Sequence, residues 1–284
     1  MKTFADIEKR YASFPNAKVL LQPIPYDRTS TWGKGADNGF RAFLEASHNM
    51  ELYDIETNTC VYKEGIHILP SIIDEETPDK MFNSIYKSVQ YQLGLKRFLT
   101  FLGGEHSISI GIIKAFSEQY PDLTVVQLDA HADLRPHYLG SKYNHACAMH
   151  EASKTTNLIQ VGLRSMDASE LKYINREKCF YAEDIVGSEE WMDKAIKRMG
   201  DKVYLTIDLD VFDPSIMPST GTPEPGGLLW YPTLKFLKKL FSERTVLGFD
   251  MVELAPNIND KAPDFLAAKL YYKLLSYKFK YNDK

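Results

Sequence analysis

Three short clusters of acidic residues and histidines, each at the end of a hydrophobic run, hold the side chains in this sequence best suited to chemistry. They are Gly103-Gly104-Glu105-His106-Ser107, Asp129-Ala130-His131-Ala132-Asp133 and Asp208-Leu209-Asp210. In a strand, side chains at i, i+2 and i+4 share a face, so Asp129, His131 and Asp133 project together, as do Asp208 and Asp210. With His106 they form a converging set of oxygen and nitrogen ligands. Four carboxylates packed this closely resist ionisation unless positive charge lies among them, and a divalent cation supplies it. The set is large enough for two ions sharing carboxylates. It is rich in carboxylate and free of sulfur, which fits a hard ion such as Mn²⁺ better than a structural Zn²⁺.

Each cluster alone has a plainer reading. The Asp129–Asp133 run reads equally as a solvated acidic turn, Asp208-Leu209-Asp210 as an N-cap or turn, and His106 as a capping histidine. Three such accidents at equivalent strand ends are harder to sustain than one site. His145, in Tyr143-Asn144-His145-Ala146-Cys147-Ala148, has no carboxylate at i±2 or i±4. It reads either as a proton carrier or as a packed or substrate-contacting histidine. Glu253 follows a strand and suits a bidentate pair with a planar cation or a structural ion pair. Gly33-Lys34-Gly35-Ala36-Asp37-Asn38-Gly39 has the spacing GxGxxxG and no strand directly before it, which excludes a dinucleotide loop. No Walker lysine loop, GxSxG elbow or HExxH is present.

The elements that must position these residues are legible as apolar runs alternating with helical periods. Strand-length runs fall at 17–21, 98–102, 123–128, 158–162, 203–207 and 246–249, with helices expected over 79–93, 107–120, 188–199, 232–242 and 263–277. Strands apolar on both faces predict a three-layer α/β/α fold with a mostly parallel sheet and right-handed crossovers. In such sheets ligands bind at the carboxyl ends of strands, where every cluster lies. The 284 residues, 44% hydrophobic and without a linker, are expected to form a single domain over 1–284, with a frayed tail at 278–284. A net charge of −4 and the lack of any Lys/Arg run argue against a nucleic-acid partner. A charged N-terminus and no long apolar stretch predict a cytoplasmic protein away from membranes. Cys60, Cys147 and Cys179 are read as reduced thiols.

In the order Gly-Gly-Glu-His-Ser, Asp-Ala-His-Ala-Asp and Thr206-Ile207-Asp208-Leu209-Asp210-Val211-Phe212-Asp213-Pro214, the chain resembles the ureohydrolases, the family of arginase and agmatinase, over nearly its whole length. The resemblance implies a hydrolase with two Mn²⁺ per subunit that splits a guanidinium group into urea and an amine. One ion would take His106, Asp129, Asp133 and Asp208, and the other His131, Asp129, Asp208 and Asp210. Glu253 matches the position that orients the guanidinium, and His145 the histidine that passes a proton to the departing amine. The loop 219–227 matches a segment lining the site, where Thr222 shapes the pocket. Asp167 aligns with an acidic residue near the substrate's amine end, although a helix N-cap fits it as well.

Arginases carry a Thr/Ser/Asn-rich loop for the amino-acid carboxylate where this chain has Leu134-Arg135-Pro136-His137-Tyr138-Leu139-Gly140-Ser141-Lys142-Tyr143-Asn144. An unpaired buried carboxylate is costly, so agmatine is the expected substrate. The alternatives are 4-guanidinobutyrate, with Arg135, Lys142 or Arg164 receiving its carboxylate, and a non-catalytic regulatory subunit of polyamine metabolism. The tandem histidines of zinc deacetylases are absent. Relatives in this family assemble as trimers or hexamers, which implies a homo-oligomer.

Overall fold

A computed structural model describes residues 3–73 and 76–282. Eight strands form one sheet: β1 (Val19–Ile24), β2 (Ile66–Ile68), β3 (Phe98–Gly103), β4 (Thr124–Leu128), β5 (Asn157–Leu163), β6 (Cys179–Tyr181), β7 (Lys202–Asp208) and β8 (Thr245–Val252). Their order is β2-β1-β3-β8-β7-β4-β5-β6, and every pairing is parallel. All carboxyl ends therefore emerge on one edge of the sheet.

Helices cover both faces, which is why the inner strands are largely apolar and almost entirely buried. Val19 and Leu21 join one core with the helices Gly39–Ser47, Glu190–Arg198, Trp230–Glu243 and Ala262–Tyr281. Leu20, between them, joins the opposite core with Pro78–Leu93 and Ile108–Gln119, as strand alternation requires. The α/β class and parallel sheet agree with the sequence reading. Helix starts follow local chemistry: the Thr77 hydroxyl accepts from the Lys80 backbone N–H, and Pro78 occupies the first turn, where its missing N–H costs nothing. No described helix is long and apolar enough to cross a membrane.

Several features depart from the sequence reading. Strands β2 and β6 and the helix Gly39–Ser47 were not anticipated; both strands have three residues and lie at the sheet's edges. The expected frayed tail is instead the last turn of the helix Ala262–Tyr281. Lys278 Nζ donates to the Val246 carbonyl at 3.4 Å and to Asn282 Oδ1 at 2.9 Å, while Val246 N–H donates to Asn282 Oδ1 at 3.0 Å. Asp283 and Lys284 lie outside the described residues.

Candidate metal centre

The four central strands, β3, β8, β7 and β4, deliver the clusters. Register pairs Leu128 with Ile207, Asp208 with Val252, and Leu102 with Met251. Asp129 and Asp208 consequently leave adjacent strands side by side, and the Glu253 N–H donates to the Gly104 carbonyl at 2.8 Å across the β3–β8 gap. Only Asp208 is itself a strand residue. Asp129, His131 and Asp133 lie beyond the end of β4, and Asp210 lies in the 3₁₀ turn Leu209–Val211. The clusters converge as expected, but through loop geometry more than strand alternation. Asp133 adopts a left-handed φ of 53°, and Glu253 one of 66°, strained conformations that collect at functional sites.

The distances are those of a closed cluster. His106 Nδ1 lies 3.0 Å from Asp129 Oδ2, 3.1 Å from Asp133 Oδ2 and 3.4 Å from Asp208 Oδ2. His131 Nδ1 lies 2.8 Å from Asp210 Oδ2 and 3.6 Å from Asp129 Oδ1. Two triads result, His106–Asp129–Asp208 and Asp129–His131–Asp210, sharing Asp129. One oxygen of each carboxylate in the shared core is fixed by a backbone donor. Asp129 Oδ1 accepts from His131 N at 2.6 Å, Asp208 Oδ1 from Asp210 N at 2.9 Å, and Asp210 Oδ1 from Ala130 N at 3.0 Å.

The His106 tautomer follows from its neighbours. Thr206 Oγ1 donates to Asp250 Oδ1 at 2.6 Å, so it accepts from His106 Nε2–H at 3.0 Å. The Nδ1 atom is left buried, without a hydrogen bond, facing three carboxylate oxygens. Protein groups alone leave that arrangement unbalanced. Burial acts to lower the pKa of His106, but Asp129, Asp133 and Asp208 outweigh it and hold it well above the ordinary value. Burial and neighbouring Asp129 push Asp133 up to about 7, against His106 and His131. Burial, then Asp210 and Asp129, raise Asp208; burial, then Glu105, raise Glu253. An orphaned imidazole nitrogen among hard oxygen donors fits divalent cations, with the opposite ring nitrogen held by a hydroxyl, as metal-bound histidines require.

Beside the cluster is a cavity of about 300 Å³ lined by both histidines, Asp133, Asp208 and Asp210 together with His145, Glu253, Thr222 and Asp167. Larger hollows of about 520 and 610 Å³ elsewhere contain none of the six clustered ligands. Glu253 Oε1 accepts from His106 N at 2.9 Å, and Gly221 leaves room for Oε2, which a Cβ there would approach to 3.1 Å. His145 is lowered to about 4, mainly by burial, with Thr29 opposing. Asp167 caps the turn Ala168–Glu170 in a full capping box and lies 3.6 Å from Arg135 Nη2.

A profile of the arginase family matches residues 17–276. The chain belongs to the arginase family. It is 37% identical over 277 residues to a protein named N(1)-aminopropylagmatine ureohydrolase from Synechocystis sp., covering 93% of this chain and 90% of that one. To the protein of the same name from Thermus thermophilus it is 33% identical over 269 residues, covering 93% and 92%. The crystal structure of agmatine ureohydrolase of Thermoplasma volcanium superposes with a TM-score of 0.88 at 28% identity, covering 99% of this chain and 95% of that one. The ureohydrolase resemblance, the α/β fold and the hydrolase class stand on these matches.

Several residues that shape this arginase-family site were not singled out from the sequence. Gln127 Nε2 donates to Asp129 Oδ2 at 2.6 Å, and Thr206 holds His106. Each is a buried polar residue two positions before a clustered aspartate in an otherwise apolar strand, which was the available signal. Arg164 gives its guanidinium to the backbone carbonyls of Gly162, Asp210, Val211, Phe212 and Glu224, pinning two site loops, and so is committed elsewhere than to a substrate carboxylate. Lys142 is exposed, over the Tyr143 ring and away from the cavity. The glycines of the GxGxxxG run are explained by close packing at Gly33 and Gly39 and by backbone conformation at Gly35. A Cβ on Gly33 would meet Gly221 O at 2.8 Å, one on Gly39 would meet Leu254 O at 2.5 Å, and Gly35 has φ +123°.

Proposed function

We propose that this arginase-family enzyme hydrolyses the guanidinium group of an agmatine-type amine, releasing urea and a primary amine. The single observation that carries the reaction is the cluster of buried His106, Asp129, Asp133, Asp208 and Asp210 with half-buried His131 around an orphaned imidazole nitrogen. One cation would be held by His106, Asp129, Asp133 and Asp208 and the other by His131, Asp129, Asp208 and Asp210, and we take both to be Mn²⁺. Two such ions would supply a water-derived nucleophile at neutral pH and offset charge developing at the guanidinium carbon.

The remaining tasks fall to the chain's own side chains. Glu253 receives the planar guanidinium through its carboxylate, the geometry in which paired N–H···O bonds are strongest. His145 carries a proton to the departing amine, and Thr222 bounds the pocket. At the mouth, Arg135 is accompanied by Asp167 at 3.6 Å and Glu170 at 3.9 Å, one cation against two carboxylates. That balance favours a distal ammonium over the carboxylate of arginine or 4-guanidinobutyrate. The complete ligand set argues for turnover over a purely regulatory role.

The relatives from Synechocystis sp. and Thermus thermophilus, at 37% and 33% identity, carry the name N(1)-aminopropylagmatine ureohydrolase, and one from Bacillus cereus, at 31%, the name agmatinase, which supports an aminopropyl-extended agmatine as preferred substrate, with agmatine itself second. Hydrolysis adds one water and yields urea plus the triamine, or putrescine from agmatine. A single domain, a cytoplasmic location and assembly as a homo-trimer or hexamer belong to the same proposal, on family resemblance. Urea release from N(1)-aminopropylagmatine, agmatine, arginine and 4-guanidinobutyrate tests the substrate reading. The two amines are expected to be turned over, the extended one with the higher kcat/KM; preference for either acid overturns it.

A further inference from the structure

We infer that Thr29, oriented by Glu105, is a positioning residue that fixes the tautomer of His145 and thereby selects the ring nitrogen that exchanges a proton. The inference rests on the reading of His145 as the proton carrier.

Glu105 is fully buried at the start of the loop after β3. Its carboxylate accepts from Ser107 N at 2.8 Å, Ser107 Oγ at 2.9 Å, Thr29 N at 3.3 Å and Thr29 Oγ1 at 2.8 Å. Glu105 Oε1 already accepts from Thr29 N and Ser107 Oγ, and Thr29 Oγ1 donates to the same oxygen, so the single hydroxyl proton of Thr29 is committed to Glu105. Two lone pairs remain on Thr29 Oγ1. One accepts from the His145 backbone N–H at 3.0 Å, and the other faces His145 Nδ1 at 3.2 Å. With its proton already given away, the hydroxyl can meet Nδ1 only as an acceptor. His145 therefore carries its proton on Nδ1, and Nε2 is left as the lone-pair nitrogen. One hydroxyl holds both the main chain and the ring of His145, which restricts the ring's torsion as well as its tautomer.

The fold keeps Thr29 in place by a second tie. Glu105 N donates to Tyr26 O at 2.8 Å, and Gly104 N to Ile24 O at 2.9 Å, so the loop after β1 lies directly on the Gly103-Gly104 turn. A Cβ at Gly104 would stand 1.7 Å from Tyr26 O, so this approach needs glycine. Further along, Asp27 Oδ2 accepts from Gly35 N at 2.6 Å and Ala36 N at 3.2 Å, which closes the loop around Thr29. The Tyr138 ring, 6.1 Å away and edge-on, packs against the imidazole. A wrong tautomer would present an N–H where a lone pair is needed and stall proton transfer without touching the metal ligands.

The test uses the full chain with Thr29→Val, which removes the hydroxyl at constant shape, and Thr29→Ser, which keeps it. Two-bond ¹H–¹⁵N correlation spectra of the metal-stripped protein read the His145 tautomer directly, independently of catalysis. The wild type and Thr29→Ser are expected to show the Nδ1–H form, and Thr29→Val a mixture or the Nε2–H form. With Mn²⁺ restored, Thr29→Val is expected to lose about 100-fold in kcat with KM and bound metal unchanged, and Thr29→Ser to rescue most of that loss. An unchanged Nδ1–H tautomer in Thr29→Val overturns the inference, as does equal impairment of Val and Ser variants. A changed tautomer with undiminished kcat supports the positioning role and instead removes His145 as proton carrier.

Discussion

At the scale of single residues, the two histidines and four aspartates of the cluster and His145 differ in what their removal should cost. Asp208 faces His106 and, through its other oxygen, accepts from the Asp210 N–H, so it organises both halves of the cluster. Asp208→Ala is expected to lose both bound metal and at least 10²-fold in kcat, read by metal content and urea release on the same sample. His145→Ala should keep its metal and still lose about 10²- to 10⁴-fold in kcat. Full metal occupancy in the first variant, or normal turnover in the second, contradicts the assigned roles. The ligand candidates were legible because acid and histidine alternate over only a few positions. Their supports were not. Thr29 and Asp250 reach the site across 76 and 44 positions of sequence, to Glu105 and Thr206, and no local pattern encodes such contacts.

At the scale of elements, the site depends on loops packed closer than side chains allow. Gly104→Ala forces a Cβ into the Tyr26 carbonyl, and is expected to destabilise the protein by about 3 kcal/mol in denaturant unfolding. A change within about 0.5 kcal/mol would show that the two loops separate freely. On the opposite side of the fold, Glu56 ties its loop to two helices through Lys273, Tyr277 and Lys238. Burial acts to raise its pKa, but these partners outweigh it and depress it from 4.5 to about 2. A depressed carboxylate stabilises the fold above its unfolded pKa, and that contribution is lost as pH falls from about 4.5 through about 2. Solvent exposure keeps the effect small. Wild-type stability should fall more steeply over that window than that of Glu56→Gln, and parallel unfolding curves would remove the ion pair from the acid response. Apolar runs revealed the six long strands, but β2 and β6, with three residues each, are too short to stand out as runs. The last helix hid its end because Lys278 and Asn282 are anchored by tertiary contacts to β8 and neighbouring backbone.

At the scale of the whole molecule, the all-parallel sheet explains why acidic residues from distant parts of the sequence concentrate on one edge. The chain's net charge is only −4, yet Glu105, Asp129, Asp133, Asp208, Asp210, Asp250 and Glu253 are all buried at or beside the carboxyl ends of the four central strands. Such a concentration is expected to be stabilised by divalent cations, which bind the folded state and not the unfolded one. The βα alternation made the class of fold and the site's edge legible. The strand order was not, because β3 and β4 are consecutive in sequence but separated in the sheet by β8 and β7. Urea release measured against Mn²⁺ bound per chain, starting from metal-stripped protein with N(1)-aminopropylagmatine as substrate, tests the central proposal most directly. We expect no activity in the stripped protein and full turnover only as occupancy reaches two ions per chain. Turnover that survives stripping, or two bound ions with no urea from this substrate or agmatine, would contradict it.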